Sequence, residues 1–517
     1  MALGAALAVL SCAGSGKTAS AVAADTTAID SVEVSSLPPI LPDTAYPSVS
    51  AITPTTRVID TTISAAINLT ADMYAGAPGI MTFRGNAHRD ADFHGSVKGT
   101  PSKITLEWTF ATEMSRPSEK MGSWGGGSGW TGQPLYVEWP DSCVRRFRKS
   151  GLVTRAFKPA EIIVGSLAGK VYFIDYATGG VSRDAIDVGN PIKGTVSLDP
   201  TLNGFLYVGH GIPVTTPFGA SVIDLFSGKV IDTYGRDPRA PRGWGAYDSS
   251  ALRVGQFVFR PGENGVIYKY AVLPGEIRLV ATMSYRGGSR LGIESSMSAY
   301  SNYGYTADNS GNIVCTNLNT MRPVWHYALG DDTDATPVLL IEENHPYLYV
   351  GSEIDKQGEG SARFAKIDGL NGKEVWRNEF AGRLAEVGGK HFDGGFYATA
   401  LPGRGDCSDL IFTNVVRNLK GQNGEFVALD KATGKTRYCT PLKYYSWSSP
   451  VGFLNEKGEM FVVTGDCSGR LYLIKGTTGE IIFSAIFGSN FESSPAVVGN
   501  KIVVGSRGDK IYKFSID

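Results

Sequence analysis

At 517 residues the chain is too long for one ordinary hydrophobic core unless its architecture repeats. Its 49 basic and 50 acidic side chains leave a net charge of −1, which gives no ground for a nucleic-acid or anionic-surface partner. With 64 glycines, 23 tyrosines and 23 phenylalanines, the composition is that of a largely β protein rich in turns.

In chain order, the first feature is the apolar run MALGAALAVLSC, which stops at Cys12. Val9-Leu10-Ser11-Cys12 resembles a bacterial lipobox, whose cysteine is lipidated after cleavage; the alternative is an ordinary secretory segment ending near Ala23-Ala24. Either reading makes residues 1–24 a targeting region and the protein exported; the lipobox reading, which is preferred, places it in the cell envelope with Cys12 as its lipidation site and a lipid anchor as its only membrane contact. No later segment approaches the ~20 apolar residues that span a bilayer. Residues 25–62, rich in Ala, Ser, Thr and Pro, read as a disordered tether. Residues 63–102 lead into the folded part. Five further cysteines, none adjacent, form no CxxC, and an odd count leaves at least one thiol unpaired.

From residue 103 one pattern recurs. A junction of small and hydroxyl residues runs into an apolar strand eight times: TGQPLYV from Thr131, KGTVSLD from Lys193, DSSALRV from Asp248, ESSMSAY from Glu294, DATPVLL from Asp334, YATALPG from Tyr397, WSSPVGF from Trp447 and ESSPAVV from Glu492. Each is followed by a strand ending near Gly, an alternating strand, a Gly-containing turn such as DKATGK, and a strand carrying an aromatic. Four strands repeated at about 40–60 residues predict a propeller blade. The last unit ends one strand short, and KITLEWTF (Lys103–Phe110) is a strand with nothing before it. The expected fold is therefore all-β: an eight-bladed β-propeller over 103–517, closed by that N-terminal strand.

The junction should lie at the innermost strand of each blade. Its second position is Gly, Ala or Ser in every copy, and its third always offers a hydrogen-bonding side chain, both expected to be architectural. The first position varies: Thr131, Lys193, Asp248, Glu294, Asp334, Tyr397, Trp447 and Glu492. Lys193, Asp248, Glu294, Asp334, Tyr397, Trp447 and Glu492 are the candidate binding residues, at one mouth of the central channel. The acids, with Asp331 and Asp332 beside them, suit a hard cation or a cationic ligand; alternatively they accept bonds from neighbouring blades or pair with Lys193 or an arginine. Tyr397 and Trp447 stack on a planar ligand or pack at the rim. The basic stretch from Cys143 to Lys158 reads as a solvated hairpin or a docking insertion. No metal site is assigned, the histidines lacking ligand spacing, and neither HExxH nor GxSxG occurs.

The turn-and-strand segments DGLNGKEVW (from Asp368) and DKATGKTRY (from Asp430) resemble the pyrroloquinoline quinone repeat, and MTFRGNAHRD (from Met81) resembles the Phe-Arg-Gly-Asn segment that precedes such propellers. GWTGQP, GDDTDATPV and GDCSGRLY are similar to bacterial propellers of this family without an assigned reaction. The resemblance covers 81–517 and has two implications. Quinone-dependent dehydrogenases hold the quinone (PQQ) and Ca²⁺ near the axis, whereas outer-membrane assembly lipoproteins use eight blades as a non-catalytic scaffold. The alcohol-dehydrogenase pattern includes a vicinal Cys-Cys, which this chain lacks. The first expectation is a non-catalytic binding or scaffold protein with a protein or small-molecule ligand at the channel mouth. The alternatives are a PQQ-dependent alcohol or sugar dehydrogenase and a surface-polysaccharide binder.

Overall fold

In four of the repeats the turn glycine (Gly179, Gly372, Gly434 and Gly479) has two reasons to be glycine. Gly372 adopts φ +74°, and a Cβ there would lie 2.6 Å from the Trp325 ring of the preceding blade. That ring is held by its indole N–H, which donates to the Gly369 carbonyl at 3.0 Å. The same joint recurs from Trp376 to the Lys431 carbonyl at 2.9 Å, from Trp108 to that of Tyr176 at 3.2 Å, and from the Tyr438 hydroxyl to that of Gly476. The outer-strand aromatic thus ties each of these blades to the turn of the next.

These joints assemble a ring of eight four-stranded antiparallel blades. The computed structural model describes residues 40–63, 67, 73–130, 132–287, 291–355, 359–383, 385–387, 390–392, 394–417 and 423–517. The innermost strands are Leu135–Glu138, Ser197–Leu198, Leu252–Val254, Ser298–Tyr300, Val338–Glu342, Leu401–Pro402, Val451–Leu454 and Ala496–Val498, for blades 1 to 8 in order. Blade 8 is completed by Ile104–Ala111, which pairs antiparallel with Lys510–Ile516 from Ile104↔Ile516 to Ala111↔Lys510. The ring is closed by the predicted strand.

The junction's constant positions are architectural. The third residue of one blade accepts, on its hydroxyl, the backbone N–H of the third residue of the blade before: Gln133 to Thr195 at 2.8 Å, Ser250 to Ser296 at 2.8 Å, Ser296 to Thr336 at 3.0 Å, Thr336 to Thr399 at 3.2 Å and Thr399 to Ser449 at 3.0 Å. The second residue is small because the blades converge there. A Cβ on Gly194 would lie 1.8 Å from the Asp248 carbonyl oxygen.

Two expectations change, and others go untested. Cys12, the targeting region 1–24 and Thr131 lie outside the described residues. The tether assigned to 25–62 does not hold for its described end: Thr53–Val58 is a fifth strand on the outer edge of blade 3, and the 3₁₀ turn Pro47–Ala51 precedes it. The strand is mostly exposed, so backbone pairing rather than burial holds it, and composition gave no sign of it. The basic stretch is not a hairpin but a helix, Asp141–Lys149, which buries Cys143, Val144 and Phe147. Phe147 packs on Phe226 of blade 2 at 5.0 Å between ring centres. The five described cysteines are all free thiols.

The segment that leads into the ring crosses one mouth of the channel and bonds to every blade. Gly79–Ile80 pairs with blade 1, and Phe93–His94 runs parallel to the innermost strand of blade 8. Between them the Met81, Ala87 and His88 carbonyls accept Leu198, Ala299 and Leu339 N–H groups of blades 2, 4 and 5. Thr82 meets Ser250 of blade 3 at 3.1 Å. The fully buried Arg84 guanidinium donates to Ala400 of blade 6 at 2.8 Å and Pro450 of blade 7 at 2.9 Å. Arg84 and Arg89 sit at φ 54° and 63°, a left-handed backbone that the surrounding bonds over-determine.

Candidate functional site

The variable first position of each junction faces the opposite mouth. There a second ring joins it, formed by the residue just past the second strand of the same blade. Its backbone N–H bonds the carbonyl two residues before the junction: Gly211 to Pro191, Glu263 to Ala246, Asn309 to Gly292, Glu353 to Asp332, Val416 to Gly395, Cys467 to Tyr445 and Arg507 to Asn490, at 2.7–3.1 Å. The rim is therefore built from pairs: Lys193 with Gly211, Asp248 with Glu263, Glu294 with Asn309, Asp334 with Glu353, Tyr397 with Val416, Trp447 with Cys467, and Glu492 with Arg507.

These pairs surround a cavity of about 420 Å³. Six of the seven sequence candidates line it: Lys193, Glu294, Asp334, Tyr397, Trp447 and Glu492. Asp248 lies just behind, ion-paired to the Lys193 ammonium. Trp124, Trp130, Leu167 and Arg507 complete the wall. The sequence reading missed these four together with Glu263 and Glu353. Trp124 and Trp130 sit in the glycine-rich SWGGGSGW, and the others follow a strand whose loop length changes from blade to blade.

One side of the cavity is aromatic. Tyr397 and Trp447 stack at 5.1 Å with 18° between planes, and Trp130 meets Tyr397 edge-on at 5.6 Å. The indole nitrogens of Trp130 and Trp447 are buried without a hydrogen-bond partner among the described residues. The other side is acidic. Carboxylate oxygens of Asp248, Glu263 and Glu294 lie within 4.8 Å of one another, and so do those of Asp332, Asp334 and Glu353. The first group surrounds Lys193, whose ammonium also stands 3.9 Å from Glu294 and 5.4 Å from the centre of the Trp130 ring. Glu492 is matched by Arg507 at 2.9 Å. Of the expected pairings, Asp248 and Glu492 have them; Asp334 Oδ1 is buried without a hydrogen-bond partner among the described residues.

The electrostatics follow from this crowding. Burial alone would lower the Lys193 pKa, but Asp248, Glu294 and Glu263 together outweigh it and hold the ammonium charged. Burial and then repulsion from Glu294 push the Asp334 carboxyl well up, with Glu353 and Asp332 adding to it. Burial and Glu294 raise Asp332 to about 7. A carboxyl whose folded pKa is raised binds its proton more tightly in the folded state. Its ionisation costs stability as pH climbs from the unfolded value near 4 to the folded value, which for Asp332 spans about 4 to about 7. Asp334→Asn is accordingly expected to raise unfolding free energy by about 1–2 kcal/mol at pH 7.5 and by less at pH 4.5. Urea denaturation at the two pH values measures this; destabilisation at pH 7.5 would mean that Asp334 is a structural acceptor.

The comparisons with known proteins bear on the fold. The family described as outer membrane protein assembly factor BamB matches residues 422–517, the outer two strands of blade 6 onward. No curated protein matches the sequence. Among solved structures, the quinohemoprotein alcohol dehydrogenase from Comamonas testosteroni is similar at 14% identity and a TM-score of 0.59, covering 86% of this chain and 82% of that one. A europium-containing methanol dehydrogenase is similar at 13% identity and a TM-score of 0.54, covering 85% and 98%. At these identities the likeness shows the shared fold alone.

Proposed function

We propose that this chain is a non-catalytic binding propeller of the cell envelope, exported and anchored through Cys12, that takes a small ligand in the channel-mouth cavity. The observation that carries the reading is the cavity itself: an aromatic wall facing an acidic one, with two indole N–H groups and a carboxylate oxygen that no described residue bonds. The far mouth is crossed by the 79–94 segment, so a ligand enters from the open side alone. The family match over residues 422–517 supports the envelope setting, since that family is described as an outer membrane protein assembly factor.

The dehydrogenase reading fits the residues poorly. The quinone is a flat tricarboxylate, so its site must supply positive charge. Here Glu294, Asp334 and Glu492 line the cavity, and its two cations, Lys193 and Arg507, are already paired to Asp248 and Glu492. The flat faces of Tyr397 and Trp447 are turned on each other.

The test is direct. Cyclohexanol, a neutral probe of cavity size, should give saturable quenching of tryptophan emission, lost in Trp447→Ala. In the native host, a fatty-acid analogue should label the protein and fail to label Cys12→Ser. Absence of saturable binding would remove the ligand-binding reading. Turnover of alcohols with added quinone and Ca²⁺ would replace it by the dehydrogenase.

A further inference from the structure

The rim is assorted by charge in a way that specifies its ligand. Three of its aromatic rings already face protein cations: Lys193 stands 5.4 Å from the Trp130 centre, Arg507 5.3 Å from Trp124 and Arg417 4.3 Å from Tyr445. Two of these cations also carry a carboxylate, Asp248 on Lys193 and Glu492 on Arg507. Aromatic ring, ammonium or guanidinium, and carboxylate thus recur as a unit around the mouth.

In the remaining arc the acids are the under-bonded members. The stacked Tyr397 and Trp447 lie on one wall, and Asp334, with Glu294 beside it, on the other. Asp334 Oδ1 has no hydrogen-bond partner among the described residues, and Glu294 has Lys193 only at 3.9 Å and Asn309 Nδ2 at 3.3 Å. Just behind them Glu263, 2% exposed, keeps Oε1 without a partner and adds to the negative field.

Resting on the reading of this cavity as a binding site, we propose that it recognises a compact organic cation. Its protonated amine lies against Asp334 and Glu294, and its apolar body lies on Tyr397 and Trp447. The amine would supply donors to two under-bonded carboxylates and offset their mutual repulsion, which adds to burial in pushing the Asp334 carboxyl up. The apolar body fills a cavity whose volume, about 420 Å³, exceeds that of a single six-membered ring. A neutral molecule of the same shape leaves the charges unmatched, and an anion adds to them.

Three probes of one size separate these cases at pH 7: cyclohexylamine, cyclohexanol and cyclohexanecarboxylate. Titrated by tryptophan emission into the full chain, the amine is expected to bind at least about tenfold more tightly than the alcohol, and the carboxylate not to saturate. Asp334→Asn should reduce the amine's advantage over the alcohol to under about threefold, whereas Trp447→Ala weakens both and keeps their ratio. Equal affinity for amine and alcohol, or an amine preference that survives Asp334→Asn, overturns the inference and leaves the binding cavity standing. Failure of all three probes overturns the cavity reading as well. CaCl₂ alone is the final arm. A rise of several degrees in wild-type melting temperature, absent in Asp334→Asn, with displacement of cyclohexylamine, would show a hard-cation site and overturn the proposal.

Discussion

A chain lacking residues 1–112 is expected to lose cooperative folding. The deletion removes Ile104–Ala111, and with it the whole register on Lys510–Ile516, together with the 79–94 segment across the mouth. Each lost backbone hydrogen bond is worth about 1 kcal/mol, so the strand accounts for roughly 5–10 kcal/mol, comparable to the entire stability of an ordinary domain. The bared edge also offers a template for intermolecular pairing. A deletion of 1–62 is the informative control. It removes Thr53–Val58 from blade 3, the Tyr46 N–H bond to the Val324 carbonyl and the buried Ile52, but leaves the ring closed. That protein should be soluble and melt a few degrees lower. Size-exclusion chromatography and calorimetry compare the two; equal solubility and equal melting temperatures would show that closure does not hold the ring.

Arg84→Ala should be the most costly single substitution in the segment across the closed mouth. Arg84 is fully buried, and its guanidinium donates to the carbonyls of Arg89 at 3.2 Å, Pro450 at 2.9 Å and Ala400 at 2.8 Å. Truncation leaves carbonyls from two blades unsatisfied at the axis, opens a cavity and unpins the chain, at a cost of about 3–5 kcal/mol. Arg84→Lys, with a single ammonium in place of a fork, should recover only part of this. Urea denaturation measures both; a loss under about 1 kcal/mol for the alanine variant would show that the backbone bonds to the blades suffice.

How far the sequence spoke depends on whether a residue sits in a repeat. The closing strand was legible because the last blade lacked one and Lys103–Phe110 had no other place. The first rim position was legible because eight junctions align, so Lys193, Asp248, Glu294, Asp334, Tyr397, Trp447 and Glu492 could be gathered before any coordinates. Their partners Glu263, Glu353 and Arg507 follow strands joined by loops of unequal length, so they recur at no fixed spacing from the junction. The crossing segment was placed next to the ring by its resemblance, but its contacts are backbone bonds and two arginines reaching far along the chain, which leave no periodic trace. The helix Asp141–Lys149 was hidden by its charge. Its buried Cys143, Val144 and Phe147 share one face, but four basic residues around them read as solvated.

The segment that bonds all eight blades is made early and used last. Its partners extend to blade 8, and the neighbouring Thr105 bonds Asp517 across 412 residues. None of its contacts with blades 6 to 8 exists until those blades have been synthesised, so the segment stays partly bonded, held only by the blades already made, while the ring grows beside it. Contacts of such sequence separation carry the full entropy of closing the chain before they return any bonding, which makes this step slow. A ribosome paused anywhere before the last blade therefore presents an open arc with two bare edges. Commitment to the native state comes only at the end of synthesis, when one threading event seals the axis and the seam together.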